Sequence, residues 1–292
     1  MRASPQAGCG TGASRFAPLG LAAIAAVAAI AASWQCWINP FIDSGREMDV
    51  PWRLLQGERL YRDITYYYGP LGPWANTLAL RLFGHRWLSL ELVCGALSAL
   101  IFLLLFRLTR RAGGPVSATA ATTLAAAVCM AAPRGGGFLF PYSSSNLFAL
   151  AGALLALSCA AEADSERHDR HDRRLGLGAL GIAVALSSRL EIGMAAAAAL
   201  TLTGLRSRRR EETVGDLGVV AFGSLLACGA YAVACLGIPW ARLLADGPFG
   251  PFLGMPREWK YLYLKAAGLA EPGDAAGRMG ASLLLDGLLV AA

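Results

Sequence analysis

Long apolar stretches, most of about 16 residues or more, recur along this chain, and that pattern limits its folds more than anything else in it. A segment of roughly 20 such residues spans the ~30 Å hydrocarbon layer of a bilayer. Backbone polar groups in lipid must be satisfied within the segment, so helices are the expected spanning form. The first run covers residues 16–38 and ends in "WQCW", whose two tryptophans suit a membrane interface. Others cover 87–108, 115–132, 146–161 and 214–236, and a last one begins near residue 281, within which the chain stops. A further stretch, 175–205, is interrupted by "SSRLE". Only 16% of the residues are charged, against about a quarter in soluble domains. The expected fold is an all-α, polytopic transmembrane helix bundle of about eight spans, a single domain over residues 1–292. Arg2 and Arg15 precede the first run, and no small-residue cleavage site follows it, which favours a retained anchor over a signal peptide.

The interrupted stretch decides the topology. As one helix it would hold Arg189 and Glu191 at mid-bilayer, at roughly 2.5–3.5 kcal/mol each. As two short helices turning at "SSRLE", it brings both charges to the surface. The N-terminus, "RLTRR", "RHDRHDRR" and "RSRRR" then share one side, the cytoplasmic one by the positive-inside rule. The segments expected outside are residues 39–86, "PRGGGFLFPYSSS", "SSRLE" and residues 237–280. Against this stand six arginines between Arg46 and Arg86 on the outer side. The implied location is a bacterial cytoplasmic membrane.

Several functions are excluded or disfavoured. The net charge of +6 is divided among short loops rather than gathered in a stripe, so no nucleic-acid partner is indicated. The seven cysteines form no C-x-x-C pair, and neither a zinc site nor a disulfide framework follows. His168 and His171 in "RHDRHD" have metal-pair spacing, but the alternating charges around them read as a solvated loop. No Walker loop, G-x-S-x-G elbow or H-E-x-x-H helix occurs.

Chemistry concentrates in "FIDSGREMDVPWRLLQGERLYRDITYYYGPLGP", directly after the first run. In a helix Asp43 and Glu47 are at i, i+4 and share a face, with Asp49 nearby. Close carboxylates raise one another's pKa and suit a general base or a metal site; equally, they suit a solvated loop paired with Arg46 and Arg53. Tyr66 and Tyr67 offer a surface for stacking a sugar or for marking the interface. The following "PLGPWANTLALRLFG" reads as an amphipathic helix on the membrane. Arg134 and Arg189 stand at outer turns, where an arginine either snorkels or clamps a phosphate. Glu91, one turn into the second span, is a site candidate by its depth.

With its neighbours through "WANTLALRLFG", this loop resembles the first outer loop of polytopic glycosyltransferases of the GT-C type, in the bacterial branch of mannosyltransferase-like and aminoarabinose-transferase-like enzymes. "SSRLEIGMA" is similar to a Lys/Arg-x-Glu turn of that group, and "GPFGPFLGMPREWKYLYLKAAG" to a late outer loop. The resemblance implies transfer of a sugar from a polyprenyl-phosphate donor to a lipid, glycan or protein acceptor outside the cytoplasm. It implies that Asp43 is the catalytic carboxylate, with Glu47 and Asp49 beside it, and that Arg46, Arg134 and Arg189 bind the donor phosphate. Glu91, Glu191, Tyr66 and Tyr67 would support them. A divalent metal would be compatible, although no ligand set is legible. Two other readings are a transporter or flippase for a polyprenyl-linked substrate, which calls for charges deep in spans and repeated halves, and a non-catalytic membrane subunit.

Overall fold

The computed structural model describes residues 43–130, 137–138, 143–161, 168–206 and 210–248, with isolated positions elsewhere. The predicted first span apart from isolated positions, the predicted eighth span, most of the loop 237–280, and Arg134 lie outside the described residues. Eight helices fill the described part, and no strand is found in it. They are α1 (Asp43–Leu55), α2 (Leu71–Phe83), α3 (Trp87–Met130), α4 (Ser144–Ala161), α5 (His168–Ser188), α6 (Leu190–Arg206), α7 (Arg210–Cys235) and α8 (Trp240–Asp246).

Helix α3 is two arms of one hairpin. Gly114 has φ 81° and ψ −174°, outside helical geometry, and Pro115 starts the second arm. Phe102 on the first arm packs against Ala126 and Met130 on the second, which requires the chain to reverse between them. The arms match the second and third predicted spans. The break at "SSRLE" is also present: α5 stops at Ser188, α6 starts at Leu190, and the two helices pack together. Helices α3, α4 and α7 are long and apolar enough to cross a membrane. The result is a helical membrane bundle.

Helix α5 is its centre, touching α4, α6 and α7. Hydrophobicity does not drive helix association in lipid, so close backbone packing must, and small residues permit it. A Cβ at Gly152 of α4 would meet the Gly181 carbonyl of α5 at 2.5 Å, and one at Gly181 would meet the Gly152 carbonyl at the same distance. From the other sides, Gly193 of α6 lies against the Leu186 backbone and Gly223 of α7 against the Ala179 carbonyl. Leu124, Val128, Phe222, Leu225 and Val233 face outward.

The hairpins alternate direction, so the start of α3, the start of α4, the α5–α6 turn and the end of α7 share one end of the bundle. The polar loop covers that end. Val50, Leu60, Tyr61, Ile64 and Tyr66 form one apolar cluster with Ala234, Ile238 and Leu243. Arg59 donates from Nη2 to the Leu236 carbonyl at 2.5 Å, and the Tyr66 N–H donates to the Asp246 carbonyl at 3.0 Å. Arg107, Arg110, Arg111 and Arg206 fall at the opposite end, where the arms turn back.

Candidate active site at the loop-covered end

In α1, Ser44, Glu47 and Val50 point into the protein, while Asp49 and Trp52 point out. A carboxylate on an inner face must find donors, because burial without hydrogen bonds costs several kcal/mol. Helix α4 supplies them. Its first turn has amide hydrogens with no intrahelical acceptor, and its dipole favours a negative group there. The Ser144 N–H donates to Glu47 Oε2 at 3.0 Å, and the Ser144 hydroxyl donates to the same oxygen at 2.5 Å. Asn76 of α2 adds its Nδ2, at 3.4 Å from Glu47 Oε2 and 2.9 Å from Ser144 Oγ. Gly72 lets α2 approach this closely, since a Cβ there would run into the Ser145 hydroxyl.

Burial pushes the Glu47 pKa above its ordinary value of 4.5, opposed by the Ser144 hydroxyl and N–H and by the Arg46 charge. Three buried atoms of this cluster, Glu47 Oε1, Asn76 Oδ1 and Ser143 Oγ, have no hydrogen-bond partner among the described residues. Tyr66 closes one side, its hydroxyl sharing a 3.1 Å hydrogen bond with Ser145. Burial and then the Glu47 charge raise the Tyr66 pKa far above that of a free phenol.

Beside this carboxylate two guanidiniums converge. Arg189, from the α5–α6 turn, lies with Cζ 3.9 Å from the centroid of the Tyr68 ring, and Arg46, from α1, lies 5.3 Å from the same centroid. Arg189 is oriented by Nε donation to Asn146 Oδ1 at 2.5 Å and by Nη1 donation to Glu191 at 2.9 Å. The loop is brought to the turn by the Gly69 N–H, which donates to the Ser188 carbonyl at 3.0 Å. Only glycine fits there, because a Cβ at position 69 would overlap the Ser187 carbonyl.

Of the residues singled out in the sequence, Glu47, Arg46, Arg189, Glu191 and Tyr66 come together here. Glu91 is buried at the start of α3, and the Cys94 thiol lies within electrostatic reach of both Glu91 and Glu47. Asp43 opens α1 one turn before Glu47, and its side chain is outside the described residues. Asp49 stands apart, with a 60% exposed side chain 4.0 Å from Arg53. Tyr67 is exposed and turned away from the cluster. Sequence reasoning missed Tyr68, Asn76, Ser144 and Asn146. A signal was present in an Asn within an apolar helix and in "SSSN" at a helix start, both pointing to polar groups that need partners. Among the described residues no three His, Cys, Asp or Glu side chains gather as a metal site.

Half-buried cations of this kind suit an anion, and arginine's planar fork matches phosphate oxygens. A carboxylate beside them suits proton transfer. The family model described as dolichyl-phosphate-mannose-protein mannosyltransferase matches residues 68–234, more than half of the chain. No curated protein and no solved structure matches.

Proposed function

The chain belongs to that family of membrane glycosyltransferases, and from this premise we propose that it moves a sugar from a polyprenyl-phosphate carrier to an acceptor on the outer side of a bacterial cytoplasmic membrane. The supporting observation is the meeting of Arg46 and Arg189, from two distant parts of the chain, on one ring beside a buried carboxylate cluster. An acceptor hydroxyl attacks the anomeric carbon, the bond from that carbon to the phosphate oxygen breaks, and the polyprenyl phosphate leaves. Asp43 takes the acceptor's proton. As negative charge grows on the phosphate, Arg46 and Arg189 oppose it, and preorganised charges and donors of this kind supply much of the rate enhancement in many enzymes. Arg134 is a further candidate for the phosphate. Glu47 fixes α1 to α4, so Asp43 and Arg46 are carried on an anchored helix. Where a divalent metal takes part, it would share the phosphate charge with these arginines.

The site end faces outward in this proposal, because the arginines of the short turns lie at the other end and positive charge marks the cytoplasmic side. The N-terminus is then cytoplasmic. Two experiments test the reading. In a variant lacking native cysteines, Asp49→Cys places a thiol on the exposed face of α1. An impermeant maleimide should label it in intact cells; labelling only after lysis would refute the orientation. In proteoliposomes, a polyprenyl-phosphate-linked mannose donor with a radiolabelled sugar should lose its label to acceptor or water with the wild type. Failure to do so across a panel of such sugars would refute the donor class.

A further inference from the structure

Tyr68 occupies an unusual place among these charges. Two guanidiniums that approach one another repel, and Arg46 and Arg189 reach this place from α1 and from the α5–α6 turn. The Tyr68 ring lies against both, with one Cζ at 3.9 Å and the other at 5.3 Å from its centroid, and the π-electron density of an aromatic ring attracts cations. The ring itself is held on several sides. The Tyr61 hydroxyl donates to the Tyr68 carbonyl at 2.6 Å, and Tyr66 packs edge-on at 5.5 Å between centroids. The next residue, Gly69, is tied to Ser188. Tyr61 is fully buried and adopts φ 63°, a left-handed conformation costly for an aromatic residue. Local strain is thus accepted where the chain aims its hydroxyl at the Tyr68 carbonyl.

We infer that Tyr68 is a positioning residue: its ring holds Arg46 and Arg189 as a preset pair, so that one phosphate group meets both. This rests on the proposed use of those arginines and goes beyond it, since it assigns their cooperation to a third side chain. The pair has its greatest effect on the dianionic phosphate monoester that leaves the reaction, and less on the monoanionic diester that enters.

The test is binding of a short-chain polyprenyl phosphate to the full chain in nanodiscs, with transferase turnover alongside. Tyr68→Phe keeps the ring and should bind within about threefold of wild type, while Tyr68→Met, with similar bulk and no ring, should lose about tenfold. A double-mutant cycle separates positioning from folding. In an Arg189→Ala background, Tyr68→Met should add little further loss, whereas a purely structural role gives the same loss in both backgrounds and overturns the inference. Should Tyr68→Met fail to fold, a ring-fluorinated phenylalanine at 68 keeps the shape and removes the negative face. Wild-type affinity in that variant would also overturn it. If instead Arg46→Ala and Arg189→Ala leave phosphate binding unchanged, the proposed site fails first. If they weaken it and the loss of the ring does not, only the role of Tyr68 fails.

Discussion

On the inner face of α1, Glu47 is 7% exposed and accepts two hydrogen bonds from Ser144, whereas two residues further on Asp49 has a 60% exposed side chain and faces Arg53 across 4.0 Å. The arginines differ in the same way. Arg53 is matched by Glu58 at 2.5 Å and by the Asp63 carbonyl at 2.9 Å, so its charge is neutralised within the loop. Arg189 has a 16% exposed side chain, shares one exposed glutamate, and lies against a ring that also faces Arg46. One helix thus carries a surface ion pair on one side and a buried, hydrogen-bonded carboxylate on the other. Charged residues at similar spacing become site or solvated surface according to which helix end they meet.

The contrast is broken most severely at the proposed base. Asp43→Asn should lower turnover about 10³-fold, within the range of general-base catalysis, with donor binding nearly unchanged. Single-turnover rates beside equilibrium donor binding check this; a fall below tenfold would move the base to another group. Next in size is Arg189→Ala, which removes a charge aimed at the leaving group. A fall of about 10²-fold in turnover is expected, with the product phosphate losing more affinity than the donor. Equal losses for both would mean that Arg189 binds the ground state and leaves the transition state alone.

Glu47 sharpens the contrast through stability. Glu47→Ala strands the Ser144 N–H and hydroxyl without their acceptor and should cost about 1–3 kcal/mol, while Glu47→Gln keeps an acceptor and should cost less. The effect has a pH signature. Because burial raises this carboxyl's pKa above 4.5, the folded state holds the proton more tightly than the unfolded chain does. The stabilisation is complete below that ordinary value and is lost as pH rises through the raised one. Thermal midpoints from pH 4 upward should fall for the wild type relative to Glu47→Gln. Parallel profiles would show that Glu47 titrates alike in the folded and unfolded states, and a rise with pH would show that its folded pKa is lowered.

Much of this architecture was legible in the sequence because lipid allows few solutions. Apolar length marked the two arms of α3, α4 and α7, and the cost of Arg189 and Glu191 at mid-bilayer marked the turn between α5 and α6. The amphipathic reading of "PLGPWANTLALRLFG" agrees with α2, whose Leu78, Leu82 and Phe83 are exposed while Asn76 and Leu80 are buried. What spacing could not tell was the division of labour within the polar loop. Glu47 and Asp49 look alike as letters, and only the position of Ser144, 97 residues from Glu47, separates them. Tyr68 was hidden for the same reason: it stands in a row of three tyrosines, and its role depends on Arg189, far along the chain.

The smallest effect is expected on the outer face of α1. Asp49→Ala removes a carboxylate at the limit of ion-pair distance from a guanidinium that keeps Glu58 and the Asp63 carbonyl. Exposed pairs of this kind contribute about 0–1 kcal/mol and are screened by salt. Stability should therefore change by less than about 0.5 kcal/mol, and turnover by less than about twofold. The informative measurement is Asp49→Ala beside Glu47→Ala in one preparation, by thermal unfolding and donor turnover. Equal effects would mean that the outer face of α1 also meets substrate, and the site would then extend over the helix instead of lying beneath it.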